Sequence, residues 1–261
     1  MNIYDCFIYN NEELMLDLRL NYLSKYVKKF VIVEAKFTHQ GNKKNTFLDL
    51  NKFKKYKDQI IHLFIEKFPE KFSNWERENY QRNYITNGLD TLLDDDLVMI
   101  SDIDEIPNLQ KIKKTINNKY TVFKQKNFSY KINLINSTHP IWHGTRMCKK
   151  KFLKSPQWLR DQKIKKNLVY RLFRINWNIV SNGGWHFSYL MDSTRIRNKI
   201  MSFGHSEYNK EEFTNINKIE EKIKNKQDLF GRQQFYQTVK LDNSFPLIIF
   251  ENQSKYRDWI I

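Results

Sequence analysis

Three of the four residues from 102 to 105 are acids. Asp102, Asp104 and Glu105 follow the apolar run "LVMI" (97–100), and Pro107 closes the stretch. Successive side chains of an extended segment point to opposite faces, so Asp102 and Asp104 are expected to project together while Ile103 turns into the core. A run that is apolar at every position reads as a parallel strand covered on both faces. Ligands of open α/β sheets bind beyond the carboxyl ends of such strands. Two carboxylates on one face there make a hard-oxygen site suited to Mn²⁺ or Mg²⁺, and without a cation they would repel one another. The alternative use of residues 102–105 is to cap a following helix, with Pro107 in its first turn; Glu105 is assigned to that capping role.

The elements that must position these acids alternate along the first hundred residues. "IYDCFIY" (3–9), "KFVIVEA" (29–35) and "QIIHLFIE" (59–66) read as strands. "NEELMLDLRLNYLSKY" (11–26) reads as a helix, with Leu14, Leu18 and Tyr22 at i, i+4 and i+8. Ser73 and Glu76 have the spacing of a capping box and open a helix near residue 74. On that helix Glu78 and Arg82 stand at i and i+4, a pair worth about 0.3–0.5 kcal/mol on a surface. Alternation of this kind implies an α/β, Rossmann-like domain, its mostly parallel central sheet flanked by helices. The second half is less regular: 120–135 reads as one long strand or a hairpin, 168–175 as a strand, and 192–201 and 217–226 as short helices. No linker or repeat divides the chain, so a single domain over 1–261 is expected.

Hydrophobic content of 40% and aromatic content of 15% supply a core and exclude a disordered tail. The 45 basic against 29 acidic residues give +16, which suits a polyanionic partner such as nucleic acid, an acidic membrane surface or a phosphorylated substrate. Lysines scattered by composition bias explain the same balance, and no single basic arm stands out. Cys6 and Cys148 are too few for a disulfide framework or a zinc cluster. No basic leader precedes an apolar run, and no run approaches 18 apolar residues. A cytoplasmic location without a transmembrane segment is expected, with peripheral membrane contact and oligomeric state left open.

Four stretches in order, "WERENYQRN" (75–83), "ISDIDEIP" (100–107), "GGWHFSYL" (183–190) and "KIMSFGHSEYN" (199–209), resemble glycosyltransferase family 17, within the GT-A class of nucleotide-sugar transferases. The resemblance implies a GT-A fold, with a nucleotide-sugar half over about 1–110 and an acceptor half over about 111–261. It also implies a metal-dependent inverting transfer, most simply of N-acetylglucosamine in β linkage, from a UDP-sugar to a saccharide acceptor.

By that resemblance Asp102 and Asp104 match the D-x-D motif and bind Mn²⁺ or Mg²⁺ bridging the donor diphosphate, with Asp102 also on the donor side. Arg82 contacts phosphate or braces the aspartates, and Glu34 stands where such enzymes carry an acid for the uridine or ribose. Trp185 offers a flat face for a sugar ring, beside two glycines that permit close backbone approach. His186 and His205 are the two candidates for a histidine on metal or phosphate, and spacing does not choose between them. An inverting transfer needs a base for the acceptor hydroxyl, for which Glu207 and then Asp192 are the nearest acids. Trp142 and His143 shape an acceptor pocket or lie in an exposed loop. Two rival readings remain at this point: a metal-dependent nuclease, which would need a basic groove that the chain does not display, and a non-catalytic carbohydrate-binding protein on a transferase fold.

Overall fold

The computed structural model describes residues 1–112, 119–164 and 176–261; the strand expected at 168–175 lies outside them. One sheet runs through these residues, its strands in the order Tyr236–Thr238, Leu134–Asn136, Tyr120–Ser129, Ile141–Lys149, Leu97–Ser101, Ile3–Tyr9, Lys29–Ala35 and Ile60–Ile65. Its first half is β1 (Ile3–Tyr9), β2 (Lys29–Ala35), β3 (Ile60–Ile65) and β4 (Leu97–Ser101), all mutually parallel. Helix α1 (Glu13–Leu23) connects β1 to β2, and α2 (Asn74–Asn83) lies between β3 and β4. All five residues of β4 are buried, as its unbroken apolar run demands of a strand between β1 and a further neighbour. Ser73 and Glu76 close the capping box of α2 from both directions.

Beyond β4 the sheet turns antiparallel. β8 (Ile141–Lys149) pairs with β4 and with β6 (Tyr120–Ser129), and β7 (Leu134–Asn136) returns along β6. The 120–135 stretch is therefore a hairpin. β9 (Trp177–Val180) and β10 (Gly184–Ser188) run parallel to β6, and β11 (Tyr236–Thr238) closes the edge on β7. Helices α3 (Pro156–Asp161), α4 (Ser193–Ile200) and a further one at Ile216–Lys224 flank the second half.

Residues 102–107 are neither a plain extended strand end nor a helix cap, although Asp102 and Asp104 do line one cleft and Ile103 is buried in the core. The chain forms a tight turn, with the Glu105 amide donating to the Asp102 carbonyl at 3.1 Å, and continues as a short strand β5 (Glu105–Pro107) antiparallel to β10. Pro107 lies in that strand rather than in a helix; the short 3-10 turn that follows at Leu109–Lys111 is capped by Asn108, and Glu105 Oε2 instead accepts from the Asp102 amide at 3.1 Å. The cause lies in α1 and β1. Arg19 is fully buried and makes a two-pronged ion pair with Asp5 (2.6 and 2.7 Å). Its Nη1 donates to the carbonyls of Asp102, Ile103 and Glu105 at 3.1, 3.1 and 2.7 Å. Gathering three carbonyls onto one guanidinium imposes the turn. Asp5 is in turn the charge inside the otherwise apolar "IYDCFIY" strand.

β10 packs against this turn because Gly184 permits it. Its φ is +129°, and a Cβ there would lie 2.0 Å from the Ile106 carbonyl oxygen. The glycine pair anticipated as a close-approach device serves the protein's own backbone at this position.

Candidate active site

The acid turn forms part of the wall of a cleft of about 500 Å³. Asp102 and Asp104 both reach it, but their surroundings differ. Asp102 Oδ2 accepts from Arg160 Nη2 at 2.6 Å and Oδ1 from Arg82 Nη2 at 3.2 Å. Burial opposes its ionisation, yet Arg160, then Arg82, outweigh that and hold its carboxyl well below the usual range. Asp104, 7% exposed, lies 3.6 Å from His186 Nε2 and 3.4 Å from Lys199 Nζ. Lys199 also pairs with Glu12 at 3.2 Å. Burial would discharge the Lys199 ammonium, but Asp104 and Glu12 reverse that and raise its pKa. Glu12 is itself pushed up by burial against the pull of Lys199.

His186 is oriented by a short relay. Asn127 donates through Nδ2 to the His139 carbonyl at 2.9 Å, which turns its Oδ1 toward His186 Nδ1 at 2.9 Å. An oxygen can only accept, so Nδ1 is the donor to Asn127, and Nε2 is the ring nitrogen turned toward Asp104. Trp142 stacks on the imidazole with centroids 4.8 Å apart and planes at 17°. Its indole N–H donates to Glu105 Oε1 at 2.6 Å. Glu105 has no exposed surface, and Arg160 grips both of its oxygens at 2.6 and 2.8 Å.

His186 Nε2 and an Asp104 carboxylate oxygen stand 3.6 Å apart, an O,N pair that a neutral imidazole could share with a cation. An O,N donor pair suits Mn²⁺ or Mg²⁺. Among the described residues no three acids, cysteines or histidines converge closely enough to enclose a metal ion, so a cation here would need further ligands from a bound substrate, as Mg²⁺ commonly does with phosphates.

The remaining expected residues fall in several places. Arg82 is buried between Glu78 (2.8 Å) and Asp102, so the i, i+4 pair is part of the cleft wall and not a surface bridge. Trp185 lies on the opposite side of β10 from His186: adjacent strand residues cannot face one site. It is 4% exposed, edge-on to Tyr22 at 5.5 Å, and donates to the Ser244 carbonyl. The tryptophan that lines the cleft is Trp142, alongside other rings such as Tyr189 and Tyr208. Glu34 is fully buried, and its carboxylate is taken by Lys44 (2.8 Å), His62 (3.2 Å) and the Leu48 amide. Burial works against that charge, while the bonds from His62 and Lys44 outweigh it and lower the pKa. His205 stands at the mouth of the cleft, edge-on to Trp75 and bonded through Nδ1 to Glu207 at 2.6 Å. Glu207 is exposed and committed to that bond. Asp192 is exposed and caps α4 through the Arg195 amide. Arg160, Lys199 and Glu12 were not singled out from sequence. Lys199 opens one of the quoted motifs, Glu12 sits in the turn after β1, and Arg160 has no local signal at all.

Comparison with known proteins adds three findings. The family description "Glycosyltransferase family 17" matches residues 1–235. A human β-1,4-mannosyl-glycoprotein 4-β-N-acetylglucosaminyltransferase is 31% identical over 108 residues, which cover 38% of this chain and 20% of that enzyme. The rat enzyme of the same name matches equally. The chain thus aligns with about a fifth of the length of these curated relatives. Among solved structures, a 2-C-methyl-D-erythritol 4-phosphate cytidylyltransferase of Francisella tularensis has a TM-score of 0.35 at 12% identity, covering 69% of this chain and 90% of that one. A glycosyltransferase involved in glycosylation of the major capsid of PBCV-1 has a TM-score of 0.34 at 10% identity, covering 69% and 81%. Likenesses at that level have no bearing on activity. The match over 1–235 is of another order, since it contains the acid turn, the arginines on Asp102, and His186: the chain belongs to glycosyltransferase family 17.

Proposed function

We propose that this protein transfers N-acetylglucosamine from UDP-N-acetylglucosamine to a saccharide hydroxyl with inversion, using a divalent cation at Asp104 and His186. The observation that carries the reading is His186 Nε2 turned toward the Asp104 carboxylate at 3.6 Å, its ring fixed by Asn127 and by the Trp142 stack. When bound there, Mn²⁺ or Mg²⁺ would supply Lewis-acid neutralisation of the diphosphate leaving group. The chain's own residues do the rest. Lys199, held charged by Asp104 and Glu12, offers a fixed cation to the diphosphate. Arg160 and Arg82 hold Asp102 ionised and fixed, so the acid turn keeps its shape as substrate charge enters. Trp142 locks the imidazole plane from one side and presents its own ring to the cleft.

The nucleoside belongs in the adjoining hollow, which shares Tyr9, Asn10, Glu12 and Lys199 with the cleft and adds Thr38, Lys44 and the half-exposed ring of Phe47. Glu34 acts there through Lys44 and Leu48, fixing the loop instead of touching the ribose. The relatives' names speak of β-mannosyl glycoproteins; for this chain a β-mannoside is the first acceptor to try. The nuclease reading loses its basis, since family membership and a cleft with paired acids and cations leave no continuous basic groove to propose.

The test is thermal stability with a panel of nucleotide sugars, with and without Mn²⁺, on wild type and Asp104→Asn. A ligand at 100 times its Kd adds about 2.7 kcal/mol. A shift that needs both Mn²⁺ and one UDP-sugar and vanishes in the variant supports the assignment. A shift unchanged in Asp104→Asn removes the proposed cation site.

A further inference from the structure

The cleft also adjoins a different hollow, of about 610 Å³, flanked by the half-exposed rings of Trp75 and Trp142. The two share four residues: Glu78, Arg82, Asp102 and Trp142. A group passes between two bound molecules where their sites meet, so a base for the transfer must stand on that shared wall. Two of the four are carboxylates. Asp102 has each oxygen engaged by a different guanidinium. Glu78 has only Oε1 so engaged, by Arg82 at 2.8 Å, while Oε2 lies 3.8 Å from His39 Nδ1.

The state of His39 is set by its neighbour. Gln81 donates through Nε2 to the Val33 carbonyl at 2.9 Å, leaving Oε1 to accept from His39 Nε2 at 2.8 Å. His39 Nε2 therefore carries the proton and Nδ1 turns a lone pair toward Glu78. At 3.8 Å the two are too far apart for a direct hydrogen bond. They are two proton acceptors with no proton between them. The turn at Gly204 passes close over Oε2: a Cβ on Gly204 would lie 3.4 Å from it and 3.3 Å from the Trp75 ring.

We propose that Glu78, backed by His39, is the catalytic base, and that the Trp75–Trp142 hollow receives the acceptor saccharide. This rests on the transferase reading above. In the step, the acceptor oxygen bonds to the sugar's anomeric carbon as the bond from that carbon to the diphosphate oxygen breaks. The bonding pair leaves on UDP, and the hydroxyl proton passes to Glu78 Oε2, the oxygen that faces His39 Nδ1. Glycoside and UDP are the products, and the proton returns to solvent. Asp192 and Glu207, the acids expected from sequence to be the base, are exposed and bonded elsewhere.

The experiment measures UDP release from UDP-N-acetylglucosamine with Mn²⁺ and methyl β-mannoside or water as acceptor, alongside donor binding by calorimetry. Glu78→Gln keeps the fold, checked by melting, and donor Kd stays within about threefold while turnover falls about 10²–10⁴-fold. Added formate restores part of the turnover to Glu78→Ala, which a purely positioning role would not allow. His39→Gln keeps a donor toward Gln81 and loses less than Glu78→Gln. Turnover of Glu78→Gln within fivefold of wild type overturns the assignment. So does a loss of donor affinity equal to the loss of rate, which would make Glu78 a support for Arg82. If the wild type binds no UDP-sugar at all, it is the transferase reading that fails, and the base falls with it.

Discussion

Replacing Arg19 by Met should unfasten the acid turn from below. The side chain has no exposed surface and makes five charge-assisted hydrogen bonds, two to Asp5 and three to the carbonyls of Asp102, Ile103 and Glu105. Methionine matches its stem but leaves the Asp5 carboxylate buried and uncompensated, a change that costs about 3–5 kcal/mol. Asp102 keeps a partner for its carbonyl in the Glu105 amide, so the added cost of stranded carbonyls falls mainly on Ile103, at about 1 kcal/mol. The sum is about 4–6 kcal/mol, or a Tm drop of roughly 10–20 °C for a chain of this size. Guanidinium denaturation measures it. Asp5→Leu/Arg19→Met removes both charges and should recover at least about 2 kcal/mol of the loss, because an absent pair leaves nothing to desolvate. Donor binding should stay impaired in the double variant, since the carbonyls remain ungathered. An Arg19→Met protein within 1 kcal/mol of wild type and binding donor normally would show that the turn does not depend on this guanidinium.

Other substitutions test separate links. Gly184→Ala places a methyl 2.0 Å from the Ile106 carbonyl at φ +129°; strain of about 1–3 kcal/mol and displacement of β10 should cut both Tm and donor binding, and normal binding would show that β10 can shift without moving His186. Trp142→Leu removes the stack on His186, worth about 0.5–1.5 kcal/mol, and should weaken Mn²⁺-dependent donor binding more than it lowers stability in urea. Burial holds His39 below its ordinary value, against the opposing pull of Glu78. The unfolded imidazole, near 6.5, therefore takes its proton first, and the contribution of His39 to stability is present above about pH 6.5 and is lost as pH falls below it. The stability of wild type relative to His39→Gln should accordingly fall between pH 7 and 5; a relative gain in acid would contradict the burial argument.

The outcome for each element follows the range of the interactions that make it. β1, β2, β3 and β4 and the capping box of α2 were legible because apolar runs and a three-residue cap are local patterns. The placement of the acids at the end of a buried strand was legible for the same reason. Asp5 inside an apolar strand, and Arg19 between Leu16 and Leu20 on a buried helix, were visible irregularities. Their meaning needed the fold, because Arg19 spends its donors on carbonyls more than eighty residues away. The exchange of Trp185 for Trp142 was decided by strand alternation once β10 paired with β5 and β6. The choice of His186 beside Asp104 came from the same pairing, which sets it opposite Glu105.

By itself the sequence determined the parallel half of the sheet, the acid turn's address and the family. Only the tertiary structure decided which acid faces a histidine and which faces arginines. Burial, countercharge and the proton on each imidazole depend on residues that meet only when the sheet closes.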